Sequence, residues 1–368
     1  MDDENTKNAF KYPPRSWRFY ISSEEAWDGM FEACEKAEVS IDFEQFIFLP
    51  DQIGTKFADL FARKASMGVK VRLLIDAGGS FAFFNSALAR RIRSAGVELV
   101  CFNKISPGRI HNFRIWFFRD HRKILIIDGK VCFIGGVGVG DLLSGWRDTH
   151  AMLTGEIVSE MSRSFDIMMK IASSEKFIPF PRPRDSGIGN FSLYTSAPRA
   201  RQRFIYGKIL SMIKSAEKSI YVTTPYFLPD IRLFHALTRA AKRKVDVFLL
   251  LPSRSDHPYV DWGSRSFFHK TLRSGIKIWQ YSSMLHTKSI VVDNVWSTMG
   301  STNMDNYSMF FNYEANIVST NENFARDLIN QFQKDIANAR ELTIEDWKKR
   351  SMVDKILEFI LVPFVRFL

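Results

Sequence analysis

Cysteine is scarce in this 368-residue chain, with only Cys34, Cys101 and Cys132 present. Their number is odd and no CxxC spacing occurs, so neither a disulfide framework nor a cysteine zinc site is indicated. Long hydrophobic runs are also lacking, since no apolar stretch approaches the roughly 18 residues that a membrane-crossing helix needs. The first residues, Met1 to Pro14, are polar and charged, which reads as neither a secretory signal nor an anchor. Acidic charge is the deficient sign, 40 Asp and Glu against 51 Lys and Arg, leaving a net charge of +11. Such a surface draws polyanions. Nucleic acid and anionic lipid both present phosphate to a positive field, so charge alone leaves the two open. Tyrosine is few beside phenylalanine, 10 against 33, a balance that fits either a Phe-rich core or an apolar membrane-facing surface. The hydrophobic content, 46%, is enough for two ordinary domains in a soluble or peripheral protein of a reducing compartment.

What is present is a chain written twice. Ser40–Pro50 (SIDFEQFIFLP) and Ser219–Asp230 (SIYVTTPYFLPD) share a design, an apolar strand running into Leu-Pro-Asp, and each follows a helical segment, Ala26–Glu38 and Ile205–Lys218. Further helices, Phe57–Met67 and Leu233–Arg243, lead to the apolar runs Val69–Asp76 and Val245–Pro252, the pattern of inner strands covered on both faces. Helices ending in Arg93–Gly96 and Arg273–Gly275 then precede the short strands VELVCF and IKIWQY. The alternation predicts an α/β protein of two similar lobes, each a mostly parallel sheet flanked by helices, with a site where they meet. The expected divisions are an N-terminal extension over 1–15, a first lobe over 16–178, a linker over 179–190 around the Pro-rich stretch, a second lobe over 191–345 and a tail over 346–368.

At matched places stand His121-Arg122-Lys123 with Asp128, and His286-Thr287-Lys288 with Asp293, two His-x-Lys-x4-Asp segments. In a strand, residues two apart share a face, so His and Lys of each segment are expected to project together, with the Asp as a local anchor at the far end. Glycine-rich turns follow, Gly135-Gly136 in one half and Gly300-Ser301-Thr302-Asn303 in the other, where small residues would let backbone approach a phosphate. One such motif is a weak signal. Its recurrence in a repeated lobe is a specific one. Each imidazole needs a carboxylate to fix its tautomer, and Asp148 and Glu314, 27 and 28 residues after the two histidines, are the candidates.

These residues closely resemble the phospholipase D superfamily, over about Ser22 to Ile344. The resemblance implies two lobes sharing one cleft and no metal or other cofactor. It also implies a phosphohistidine intermediate, with His121 as nucleophile, His286 as acid and then base, and Lys123 and Lys288 on the phosphoryl oxygens. Imidazole and ammonium groups can supply the nucleophile, the proton and the charge that phosphodiester chemistry requires. Asp128 and Asp293 complete the six motif residues, with Asp148, Glu314, Asn303, Ser301, Gly135 and Gly136 as support. The first half departs from the pattern, having Gly138 where the second has Asn303.

Within that superfamily, Thr224–Asp230, Arg119–Lys123 and Trp146–His150 look like bacterial-type cardiolipin synthases. The implied reaction moves a phosphatidyl group from phosphatidylglycerol to a second lipid alcohol, at the cytoplasmic side of a bacterial inner membrane. Candidate membrane contacts are Phe81, Phe83 and Phe84, and the tail, where Val353, Leu357, Ile360 and Phe364 repeat at helical spacing behind Lys348, Lys349 and Arg350. A terminal helix docked on its own lobe fits that tail equally well. The competing readings are a phospholipase D hydrolase, and a nuclease for which the Arg199–Arg203 run would suit a nucleic-acid channel.

Overall fold

The structure, a computed structural model, describes residues 16–104, 117–174, 178–183, 191–352 and 355–356. The strands of the first half are β1 (Trp17–Ser22), β2 (Ser40–Gln45), β3 (Lys70–Asp76), β4 (Glu98–Phe102), β5 (Ile124–Ile127), β6 (Val131–Gly135) and β7 (Arg147–Thr154). They form one sheet in the order β1-β7-β6-β5-β2-β3-β4. The second half supplies β8 (Phe191–Ser196), β9 (Ser219–Thr223), β10 (Phe227–Leu228), β11 (Asp246–Pro252), β12 (Lys277–Tyr281), β13 (Ser289–Val292), β14 (Trp296–Gly300), β15 (Met304–Asp305), β16 (Glu314–Ser319) and β17 (Ala339–Leu342). Its large sheet runs β17-β12-β11-β9-β13-β14-β16-β8, the same order with β17 added at one edge.

Each sheet is mixed, and less parallel than the alternation of elements suggests. β2, β3 and β4 are parallel, as are β9, β11 and β12, because helical crossovers such as Gln52–Ser66 and Ile231–Lys242 join them. The motif strands β5 and β13 run antiparallel to β2 and β9, and antiparallel pairs continue to the other edge. The reason is local. β5 and β6 are joined only by Asp128-Gly129-Lys130, too short for a crossover; Asp128 and Gly129 take φ of 52° and 63°, and Asp293 and Asn294 take 55° and 62° in the matching turn. Two successive residues with positive φ give the tight hairpin turn that Asp, Asn and Gly allow.

Each lobe has its own core. One is built on Phe43, Phe57, Phe61 and Ile41, the other on Ile220, Leu237, Val247 and Phe268. A third cluster joins the two, bringing Ile124, Ile134, Met161 and Phe165 of the first half against Val291, Met299, Ile317 and Phe324 of the second, with β6 packed on β14 and β16. The abundant phenylalanine therefore serves largely as core. Phe83 is fully buried against Phe48 and Phe84, which removes it from the expected membrane face, whereas Phe81 is exposed. The beginning of the tail is docked: Trp347 is buried against Phe268 and carries the Arg350 guanidinium on its face. The apolar repeat at Val353, Leu357, Ile360 and Phe364 lies outside the described residues, as do the 1–15 extension and linker residues 184–190. No helix among the described residues is long and apolar enough to cross a membrane.

Candidate active site

The two His-x-Lys segments sit immediately before β5 and β13 rather than within them. Their backbone is engaged by the opposite lobe. The His121 amide donates to the Tyr313 carbonyl (3.0 Å) and the Tyr313 amide donates to the Arg119 carbonyl (2.8 Å). The His286 amide likewise donates to the Arg147 carbonyl (2.7 Å), and the Arg147 amide to the Met284 carbonyl (3.1 Å). These crossed bridges set each histidine beside the carboxylate that follows the bridging residue of the other lobe. His121 Nδ1 lies 3.0 Å from Glu314 Oε1, and His286 Nδ1 lies 2.7 Å from Asp148 Oδ2. A carboxylate only accepts, so each Nδ1 carries the proton and each Nε2 keeps its lone pair for the cleft.

The supporting groups fix the carboxylates. Ser301 Oγ donates to Glu314 Oε2, and the Thr149 amide donates to Asp148 Oδ1 (2.7 Å). Gly136 is required by the second dyad, since a Cβ there would stand 2.4 Å from both Asp148 carboxylate oxygens; a Cβ at Gly135 would collide with the Thr149 carbonyl and with His150. The glycine turn of the first lobe therefore makes room for the orienting carboxylate.

Asp128 and Asp293 stand apart from the cleft. The Asp128 carboxylate accepts the amides of Glu38, Val39 and Ser40, and Asp293 those of Glu217, Lys218 and Ser219. Each ties its hairpin to the start of β2 or β9. Both of these motif residues are structural anchors, as expected from their place at the far end of each motif, and neither belongs with the reacting histidines and lysines.

Burial dominates the electrostatics. It pulls the ammonium of Lys123 down to about 8 and that of Lys288 down to about 7. Each donates a hydrogen bond to the carbonyl of its own motif histidine. Burial also lowers both imidazoles, His286 to about 4, with the neighbouring lysines adding to the effect and the carboxylates opposing it. Burial of Asp148 and Glu314 is outweighed by the adjacent cationic groups, which hold Asp148 at about 2 and Glu314 below its ordinary range. Near neutral pH the site thus holds two neutral imidazoles, two ionised carboxylates, a largely charged Lys123 and a Lys288 close to its midpoint, and an arriving anion would favour the charged form of both amines.

The chain matches the family described as "Cardiolipin synthase, PLD-like domain" over residues 30–146 and 209–336. It is 33% identical over 363 residues to a cardiolipin synthase of Clostridium perfringens, covering 93% of this chain and 75% of that protein. It is 34% identical over 352 residues to a cardiolipin synthase of Geobacillus thermodenitrificans, at 92% and 70% coverage. The chain belongs to the phospholipase D-like cardiolipin synthase family. Its fold is also that of the crystal structure of phosphatidylserine synthase from Haemophilus influenzae, with a TM-score of 0.74 at 12% identity over 96% of this chain and 93% of that one.

In this phospholipase D-like chain the dyads face one cavity of about 360 Å³ lined by both lobes. The first-lobe wall is apolar: Phe46, Ile47, Val137, Leu143 and Trp146, with Phe46 packed edge-on to His121 and Trp146 tilted over His286 at ring separations of 5.1 Å. The second-lobe wall is mixed, with Asn303, Asp305, Ser308 and Asn312 beside the apolar Leu228 and Val260. The side-chain oxygens of Asn303 and Asn312 are buried and find no hydrogen-bond partner among the described residues. A Cβ at Gly138 would meet the Leu143 side-chain tip at 2.8 Å, so a larger residue there would have to displace Leu143.

Several residues beside the motif histidines and lysines serve as supports whose roles only packing reveals. Beneath His121, Arg122 is completely buried with its Nη2 3.1 Å from Glu44 Oε2, and Asp120 accepts the Arg122 amide. Burial raises both Glu44 and Asp120, and the Arg122 guanidinium opposes that rise at each. Asp76, pushed up to about 7 by burial, accepts the Asp120 amide and faces Arg119. Arg147 makes a two-pronged ion pair with Asp335 of the other lobe, at 2.7 Å for each prong. His150 is buried and held near 4 by that burial, a packed residue rather than a catalytic one.

Proposed function

We propose that this chain is a phosphatidyltransferase of cardiolipin synthase type, taking a phosphatidyl group from phosphatidylglycerol and passing it to the headgroup hydroxyl of a second lipid. The observation that carries this reading is the pair of split histidine–carboxylate dyads whose histidines, with Lys123, line one cavity that has an apolar wall. His121 Nε2 attacks phosphorus as the bond to the headgroup oxygen breaks, and the departing glycerol alkoxide takes a proton from Nε2 of His286, which gains that proton from solvent when the anionic phosphodiester enters and returns to the neutral form on giving it up. In the second half the incoming hydroxyl gives its proton to His286, its oxygen bonds to phosphorus, and the bond from phosphorus to His121 breaks. The lysines stabilise charge on the non-bridging oxygens throughout. The apolar wall of Phe46, Ile47, Val137, Leu143 and Trp146 accepts acyl chains and lowers the water concentration at the intermediate.

Exposed apolar side chains border the mouth. Leu142 adjoins the lining residue Leu143, Tyr259 lines the cavity itself, and the Phe117 carbonyl is bonded by Tyr307, which also lines it. This rim, with Phe81, the basic surface and the tail, supports peripheral attachment to the cytoplasmic face of a bacterial membrane.

Incubation of the purified protein with phosphatidylglycerol vesicles and a chelator is expected to yield cardiolipin and free glycerol in equal amounts. Phosphatidic acid without cardiolipin would reassign the chain as a hydrolase. Cleavage of a single-stranded oligonucleotide with no lipid product would sink the lipid reading altogether. His286→Ala is expected to leave a phosphatidyl adduct on His121; an adduct seen on His286 in the His121→Ala protein instead would reverse the two roles.

A further inference from the structure

Beside the catalytic pair, the same cavity is lined by Tyr226, Asp256 and His257, which come from two second-lobe loops thirty residues apart. The Tyr226 hydroxyl donates to Asp256 Oδ1 at 2.6 Å, and His257 Nε2 lies 3.5 Å from Asp256 Oδ2. The Tyr226 ring is buried, and burial together with the Asp256 charge keeps its hydroxyl protonated. Asp256 keeps acceptor capacity beyond these contacts, since a carboxylate offers about four lone-pair directions.

The dyads, lysines and hairpin turns occur in both halves. This trio occurs in one. The first-lobe counterpart of Tyr226 is Ile47, which also lines the cavity, one residue before Phe48 as Tyr226 is one before Phe227. Phe48 bridges to Val139 just as Phe227 pairs with Met304, which fixes the equivalence. A feature added to one half of a repeated frame serves something the two halves do not share. A phosphodiester is near-symmetric about phosphorus, but its two alcohols differ, one bearing acyl chains and the other bearing free hydroxyls. A carboxylate at this end of the cavity repels the phosphate and accepts hydrogen bonds from neutral hydroxyls.

We infer that Tyr226, Asp256 and His257 form a polyol subsite that holds the glycerol headgroup, first as leaving group and then, on the second lipid, as acceptor. The inference rests on the transferase reading and deepens it. By microscopic reversibility the departing and arriving alcohols cross the same transition-state region, so one subsite serves both half-reactions. Its consequence is selectivity. The phosphatidyl-enzyme is captured by an alcohol anchored through its neighbouring hydroxyls, in preference to water or to an alcohol that has none.

The test gives wild-type enzyme phosphatidylglycerol vesicles with labelled glycerol and ethanol at equal concentration, and counts glycerol exchange, phosphatidylethanol, cardiolipin and phosphatidic acid. Wild type is expected to favour glycerol over ethanol. Asp256→Asn is expected to lower that ratio by about tenfold and to lower the ratio of cardiolipin to phosphatidic acid in the same sense. Tyr226→Phe should shift both ratios by about threefold, and His257→Gln offers a third probe at a half-exposed position, should the buried substitutions fail to fold. Unchanged ratios in folded variants overturn the subsite. So does a proportional fall of all products, which would mark Asp256 as part of the common chemistry. If wild type makes phosphatidyl alcohols but no cardiolipin, the transferase reading fails for lipid acceptors, while the glycerol-to-ethanol ratio still reports on the subsite.

Discussion

The two halves share strand order, hairpin turn, histidine, lysine and anchoring aspartate, yet they differ where the motif's variable position points. In the first, Arg122 is buried and faces Glu44 and Asp120. In the second, Thr287 shares a hydrogen bond with Thr149, beside the Arg147–Asp335 pair that crosses the interface. The variable position is thus braced from within its own lobe in the first motif and from across the cleft in the second. Repetition has kept the reacting groups equal and left their supports free to diverge, so substitutions at matched positions separate what is common from what is specialised.

The largest effects are expected at the crossed carboxylates. Glu314→Gln and Asp148→Asn should each reduce kcat/KM by roughly 10³- to 10⁴-fold through loss of the required tautomer. Quenched-flow detection of the phosphatidyl adduct tells them apart: Glu314→Gln should slow its formation and Asp148→Asn should slow both its formation and its discharge. Equal adduct kinetics in the two variants would break the division of roles. Next comes the brace. Arg122→Met leaves two buried carboxyl groups without their cation and should cost about 3 kcal/mol in denaturant unfolding, whereas Thr287→Val should cost under about 1 kcal/mol; a reversed order would refute the comparison.

A smaller effect concerns pH. A lysine depressed to about 8 or about 7 is charged below that value and neutral above it, so attraction for the phosphodiester is complete at pH 6 and fades as pH rises through 7 and 8. The kcat/KM profile, which reports the free enzyme, should fall by well over tenfold between pH 7 and 9, with the Lys288 step first. A flat profile to pH 10 would contradict the burial of these amines. The smallest effect is expected to be symmetric: Asp128→Ala and Asp293→Ala should each lower stability by about 1 kcal/mol in thermal unfolding, through amides left without their acceptor.

Much of this was legible in the sequence. Recurrence of the motif within a recurring order of helices and strands defined two lobes and nominated both histidines, both lysines and both orienting carboxylates. Strand direction was less legible, because Asp128-Gly129 and Asp293-Asn294 look like motif ends until their left-handed backbone shows them to be hairpin turns. Matched spacings of 27 and 28 residues could mark Asp148 and Glu314 but could not say which histidine each would meet, a matter decided by backbone bridges between lobes. Phe83 reads like Phe81 and Phe84 in the chain and differs only by packing. Tyr226 and Asp256 have no fixed spacing and no repeat, so only their 2.6 Å contact reveals them.

The crossed dyads also make the reaction conditional on assembly. Neither lobe owns a complete histidine–carboxylate pair, so a slip of one lobe against the other by even an ångström would lengthen both pairs together and silence nucleophile and acid in the same motion. A half-formed centre, able to take a phosphatidyl group but unable to release it, is thereby avoided. The interface acts as an interlock, and turnover itself becomes a gauge of how well the two halves are seated.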